Sequence, residues 1–188
     1  MKKVLYIKAN PKSSDQSNSL KVGDALAKKY INEGKTVVEL DLYKEGLKHI
    51  DGEILGKLFS GEENEITKYV NDFITYDEYI FAAPMWNLSI PSILKTYIDH
   101  IMVAGKTFAY TATGPVGLLK DKKAVHVTSR GGFYNEGPAA PFEMGDRYMR
   151  TLLGFIGITD VDTISVEGTG VLSPEEVNKN VANLINSL

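Results

Sequence analysis

The run Pro84-Met85-Trp86-Asn87-Leu88-Ser89-Ile90-Pro91 carries the most distinctive chemistry in this chain. Its two prolines restrict the backbone, Met85 and Trp86 offer polarizable and aromatic area, and Asn87 offers an amide. That set suits a flat ring system with polar edges. It equally suits core or subunit packing, with Pro91 opening a helix. A second group, Asn10, Ser13, Ser14, Gln16, Ser17, Asn18 and Ser19, stands just before a helical pattern, with only Lys8 and Lys12 as nearby cations. Hydroxyls, amides and unpaired N–H groups at a helix start suit a phosphate. Ser17 or Ser19 acting only as a helix cap accounts for the same residues, and the Asp15 carboxylate favours that account unless it faces solvent. A third group is Ser129-Arg130-Gly131-Gly132, where paired glycines let the backbone approach a ligand and bond a carbonyl edge, or simply form a flexible turn.

The elements that must position these groups follow from hydrophobic periodicity. Continuous apolar runs predict strands at 4–7, 36–42, 79–83, 124–128 and 161–166. Helical spacing predicts helices over 20–31, 92–102, 142–156 and 174–188, with further helices over 51–76 broken near Gly61. Strict alternation of strand and helix calls for a five-stranded parallel sheet, doubly wound, with helices on both faces. Ligands of such sheets bind at the carboxyl ends of the strands. The three groups follow the strands at 4–7, 79–83 and 124–128, so all three are expected on one edge. The insert 105–119, carrying Phe108, Tyr110, Gly114, Pro115 and Gly117, reads as a hairpin over that edge.

Composition narrows the remaining classes. A chain of 188 residues, 43% hydrophobic and 24% charged, suits one globular domain, 1–188. The net charge of −3 is spread without a Lys/Arg cluster, so neither nucleic acid nor an anionic membrane is an expected partner. With no cysteine, disulfides, thiolate metal sites and a cysteine nucleophile are excluded. The apolar run after Lys3 is too short for a signal core and no stretch is long enough for a membrane span, so a cytoplasmic location is expected. His49, His100 and His126 lack ligand spacing with one another or with carboxylates, which points to structural roles and no metal.

A phosphate seat, an aromatic slot and a glycine-lined polar edge together describe flavin mononucleotide better than ATP or a sugar, and neither GxGxxG nor GxxxxGK[ST] is present. The polar loop after Lys8, the run from Pro84 through Asn87 to Pro91, then Leu94, Lys95, Tyr97 and Asp99, Gly105, Phe108 and Tyr110, residues 129–132 and residues 153–160 carry a resemblance. From Met1 to the C-terminal helix the chain resembles the FMN-dependent NADH:quinone and azo-compound oxidoreductases, a flavodoxin-like family.

The resemblance implies a flavodoxin-like sheet order and an FMN cofactor. It implies NADH or NADPH as reductant, and ping-pong two-electron reduction of quinones and aromatic azo compounds. It implies phosphate contacts from Asn10, Asp15, Gln16 and Ser17, ring contacts from Pro84, Met85, Trp86, Asn87 and Leu88, and pyrimidine-edge contacts from Ser129, Arg130, Gly131 and Gly132. It also implies a homodimer with its sites at the interface. Hydride chemistry then belongs to the flavin, and no side chain is assigned a catalytic role. Phe108, Tyr110, Tyr134 and Phe155 are candidate walls of a substrate pocket, some reaching across the dimer, or ordinary packing. Asn10 and Asp15 stand where serine is common in the family, Trp86 where tyrosine is, and Leu88 where phenylalanine is. The competing reading is an FMN electron carrier without pyridine-nucleotide activity; such carriers are strongly acidic, and this chain is nearly balanced.

Overall fold

The centre of the sheet is β3 (Glu78–Pro84), buried at every residue, as a strand covered on both faces must be. The computed structural model describes residues 1–60 and 62–188. Strand β3 is flanked by β1 (Lys3–Lys8) and β6 (Lys123–Ser129), with β2 (Thr36–Asp41) and β7 (Asp160–Val166) outside them. All four pairings are parallel and the order is β2-β1-β3-β6-β7, the flavodoxin-like order expected.

Alternate residues of these strands face opposite layers. Leu5, Ile7, Tyr79, Phe81 and Ala83 pack in one core with residues of α3 (Glu65–Phe73), α4 (Ser92–Ile101) and α5 (Gly145–Phe155). Val4, Tyr6, Ile80, Ala82 and Val127 pack in the other with residues of α1 (Asn18–Asn32) and α6 (Pro174–Ser187). Helix starts are set chemically. Asn64 and Ser173 each close a capping box, at α3 and α6, and Ser17 caps α1. Among the described residues, no helix is long and apolar enough to cross a membrane.

The break expected near Gly61 falls on a residue outside those described; α2 (Gly52–Ser60) and α3 lie on either side. The helix expected over 142–156 begins later, after a short 3₁₀ turn at Ala140–Phe142. The Glu143 carboxylate accepts hydrogen bonds from the Asp146 and Arg147 N–H groups, so it caps α5 from outside the helix.

The expected hairpin forms, from β4 (Phe108–Thr111) and β5 (Gly114–Gly117), but its placement over the ligand edge is corrected. Helix α4 starts at the carboxyl end of β3 and carries the chain back to the amino edge before the hairpin begins. There Leu119 N–H donates to Ile156 O at 2.8 Å, and Gly117 packs on the Gly157 backbone just before β7. The hairpin therefore lies at the edge opposite the three loops.

Candidate functional site

At the carboxyl end of β1 the chain passes through the buried Asn10, whose Nδ2 donates to Ser17 Oγ at 2.8 Å. Ser17 Oγ in turn accepts from Leu20 N–H at 3.2 Å and lies 3.2 Å from Ser19 Oγ. Asn10 thus holds the cap of α1, and the first N–H groups of that helix end at the cleft. Lys12 and Asn18 line the same space. Lys8 does not, because its ammonium pairs with Asp24 at 2.9 Å and Glu39 at 2.8 Å. Asp15 is exposed and outside the cleft lining; the Ser13 hydroxyl holds its carboxyl below the usual range.

The second loop is tied to the third where Met85 N–H donates to Ser129 O at 2.8 Å. Trp86 and Ser89 then exchange backbone hydrogen bonds of 2.8 and 3.0 Å around Asn87 and Leu88, whose φ values are 48° and 70°. Two successive left-handed residues make a tight mirror-image turn, and in non-glycine residues each costs on the order of 1–3 kcal/mol. Met144 N–H holds the turn by donating to Leu88 O at 3.0 Å. As a result Pro84, Met85 and Trp86 line the cleft, while Asn87 and Leu88 do not. Asn87 faces a neighbouring cavity of about 570 Å³ with Ser89, Pro91, Ser92, Lys95 and Tyr148, and Trp86 is the wall common to both cavities. Leu88 lines neither and is exposed.

In the third loop Ser129 and Gly131 line the cleft. A Cβ on Gly131 would meet nothing within 4 Å, so its face is open. The loop is fixed from behind. Gly170 N–H donates to Gly131 O and Gly168 N–H to Gly132 O, each at 2.9 Å. The Arg130 side chain turns away from the cleft and is 2% exposed, packed against Glu143, Glu167 and Asn135. The side chain, expected among the ligand contacts, is thus placed in this junction and outside the cleft lining. Gly132 also stands outside the lining.

The resulting cleft has a volume of about 370 Å³, within the range of small-molecule sites. It brings together Asn10, Gln16, Ser17, Pro84, Met85, Trp86, Ser129 and Gly131 of the expected contacts with Lys12 and Asn18 of the same first loop, and adds Thr169. Thr169 lies between Gly168 and Gly170 just after β7, so the strand-end rule that found the other loops points to it too. Lys12 and Asn18 lie inside the first loop, where nothing but packing selects among polar neighbours.

Of the four candidate pocket walls, three lie elsewhere in the chain. Phe108 stands 5.5 Å from Tyr110 and 4.9 Å from Phe155, ring centre to ring centre, at the amino edge, and Tyr110 is 75% exposed. Tyr134 is at the carboxyl edge, but it lines a separate recess with Arg130, Arg147 and Arg150. Each histidine contacts the fold rather than the cleft: His126 Nδ1 is 2.9 Å from Asp146, His100 Nδ1 is 2.8 Å from Thr96 O, and His49 Nδ1 is 2.9 Å from Thr96 Oγ1. Among the described residues, no group of three His, Cys, Asp or Glu side chains is placed to hold a metal ion.

The cleft therefore offers a helix start, hydroxyls, amides and one ammonium at one end, and an apolar wall and open glycine backbone at the other. That donor set fits an elongated ligand with an anionic tail and a flat head.

Residues 2–188 match a family model described as flavodoxin-like fold. An FMN-dependent NADH:quinone oxidoreductase of Clostridium perfringens is 51% identical over 179 residues, spanning 92% of this chain and 89% of that protein. One from Staphylococcus aureus is 44% identical, over 89% of this chain and 88% of its own length. An azoreductase structure from Bacillus anthracis superposes with a TM-score of 0.89 at 38% identity, covering 100% of this chain and 96% of the other. A second Bacillus anthracis structure, an FMN-dependent NADH-azoreductase in complex with FMN, gives 0.88 at 31% identity, covering 100% and 97%.

Proposed function

Because this chain belongs to the flavodoxin-like fold family, we propose that it is an FMN-dependent oxidoreductase that uses NADH or NADPH to reduce quinones and aromatic azo compounds. The names of its relatives support that reading. The observation that carries it is the single cleft into which the ends of β1, β3, β6 and β7 deliver a polar anion seat, an aromatic wall and an open glycine. Its donor set matches a phosphate tail and a flat heterocycle with carbonyl edges.

In this reading Ser17, Asn18, Gln16 and Lys12 hold the phosphate, with Asn10 orienting Ser17. Pro84, Met85 and Trp86 wall the ring and exclude water, and Ser129, Gly131 and Thr169 face its polar edge. The chemistry FMN supplies when bound is two-electron transfer, as hydride from the reduced nicotinamide and then to the acceptor. No histidine or carboxylate lines the cleft among the described residues, so the protein's part is to bind, orient and set the field. The open Gly131 backbone would present its fixed peptide dipole there, where negative charge collects.

Reductant and acceptor use the same open mouth in turn, a ping-pong order. The chain acts as one domain in the cytoplasm and as a homodimer, in which the hairpin of a partner brings its aromatic pair over the mouth. The exposed Tyr110, at the edge far from its own cleft, supports that arrangement.

The test is an absorbance spectrum of the purified protein, release and identification of its cofactor, and anaerobic addition of NADH. Bound FMN that is bleached by NADH and restored by a quinone is the expected result. FMN that neither NADH nor NADPH reduces would mark an electron carrier, and failure to take up supplied flavin would overturn the proposal.

A further inference from the structure

The chain has only three arginines, Arg130, Arg147 and Arg150, and Arg130 is the one that is buried. Its guanidinium reaches three partners on three segments. Nη1 donates to Asn135 Oδ1 at 2.8 Å and to Glu167 Oε1 at 3.2 Å, and Nη2 lies 3.4 Å from Glu143 Oε1. Each partner is itself tied to backbone. Glu167 accepts from the N–H groups of Tyr134 and Asn135, which follow the glycine pair. Glu143 accepts from the N–H groups of Asp146 and Arg147, which start α5. Beside Glu143, Met144 N–H holds Leu88 O in the strained turn of the second loop. Arg130's own backbone completes the junction, its N–H donating to Val166 O and its carbonyl accepting from Thr169.

We infer that Arg130 is a positioning residue that sets the gap between the two loops gripping the flat end of the ligand, 84–89 and 129–132. The inference rests on the proposed FMN reading. The connection is continuous: Ser129 and Gly131 are its chain neighbours, and Glu143 with Met144 carries the same anchor to Leu88. The planar guanidinium spreads its donors over a fixed fork that meets these three separated acceptors at once, whereas an ammonium gathers its three donors at one point. Arg130 is nevertheless turned away from the cleft and acts only through the backbone it holds.

Such a residue controls the grip on the ring and leaves the phosphate seat, built by Asn10 and Ser17 on the far side of the cleft, unchanged. The full chain freed of flavin is titrated with FMN and with riboflavin, which keeps the ring and lacks the phosphate. The variants are Arg130→Lys and Glu143→Gln, with Asp146→Asn as a control that disturbs α5 without removing a member of the junction. Arg130→Lys is expected to weaken both flavins by about ten-fold, leave the FMN-to-riboflavin affinity ratio at its wild-type value and shift the visible absorption band of the bound ring. Glu143→Gln is expected to act in the same direction, and it carries the test if Arg130→Lys does not fold. Wild-type riboflavin affinity in the variants, a changed ratio, or an equal loss in Asp146→Asn would overturn the inference. A wild-type chain that binds neither flavin would overturn the proposed function as well.

Discussion

Gly117 and Gly157 meet backbone to backbone, so that a Cβ on Gly117 would fall inside the envelope of Gly157 N and Ile156 C. This contact docks the hairpin on the end of α5, and it fixes which edge of the sheet the aromatic pair occupies. Backbone atoms have no rotamer to escape into. Gly117→Ala is therefore expected to destabilise the fold by about 1–3 kcal/mol and to loosen the hydrogen bond from Leu119 N–H to Ile156 O. Urea midpoints of the two proteins, with amide exchange at Leu119, check this.

Ser17 has two duties, capping α1 and lining the polar end of the cleft. Ser17→Ala is expected to cost about 1 kcal/mol of stability, as loss of a side-chain cap does, and to weaken FMN more than riboflavin. Because Asn10 holds Ser17 in place, Asn10→Ala should shift affinity in the same direction, and the double variant should lose less than the sum. Denaturant midpoints and parallel flavin titrations give all four corners of the cycle.

Burial alone would push the Asp146 carboxyl up, but hydrogen bonds from His126, Thr163 and Arg150 outweigh it and hold the group well below the usual carboxylate range. A depressed folded-state value stabilises the fold above the unfolded value of about 3.9 and ceases to do so as pH falls towards the folded value. The wild-type protein is expected to lose stability steadily from about pH 5 downwards. Asp146→Asn should be less stable at neutral pH and show a flatter acid limb, read as urea midpoints between pH 7 and pH 3.

Leu88 holds a φ of 70° with an exposed side chain, so its conformation costs energy that no burial offsets. Leu88→Gly should relieve about 1–2 kcal/mol of that strain, less the extra freedom glycine gives the unfolded chain. A net gain of up to about 1 kcal/mol is expected in the thermal midpoint of the flavin-free protein.

The parts of this fold legible in the sequence are those with a period. β3 reads as a buried strand because Tyr79 to Ala83 are all apolar, and the loops after β1, β3 and β6 are placed by a topological rule once the sheet is known to be parallel. Side-chain direction within a loop has no such signal. Arg130 and Gly131 are adjacent in sequence, yet one is buried in an ion-pair junction and the other opens on the cleft, because Glu143 and Glu167 arrive from distant segments. Asn87 leaves the cleft for the same kind of reason, as the turn that carries it is set by the hydrogen bond from Met144. The residues of the hairpin show that it is a hairpin and say little about where it docks. The glycine contact that docks it lies 40 residues further on, at Gly157.

That docking has a consequence for how two damaged copies behave together. The seven residues of β6 put about 20 Å between the amino and carboxyl edges, so Phe108 and Tyr110 are out of reach of the cleft on their own chain. In the proposed two-fold assembly each working site is then assembled from two genetic contributions. Chains carrying Gly131→Trp have a spoiled cleft and a sound hairpin, while chains carrying Tyr110→Ala have the reverse. Each should be poorly active alone. Unfolded together and refolded as a mixture, half the dimers would be mixed and each would hold one sound site, restoring about a quarter of wild-type activity from two impaired parents.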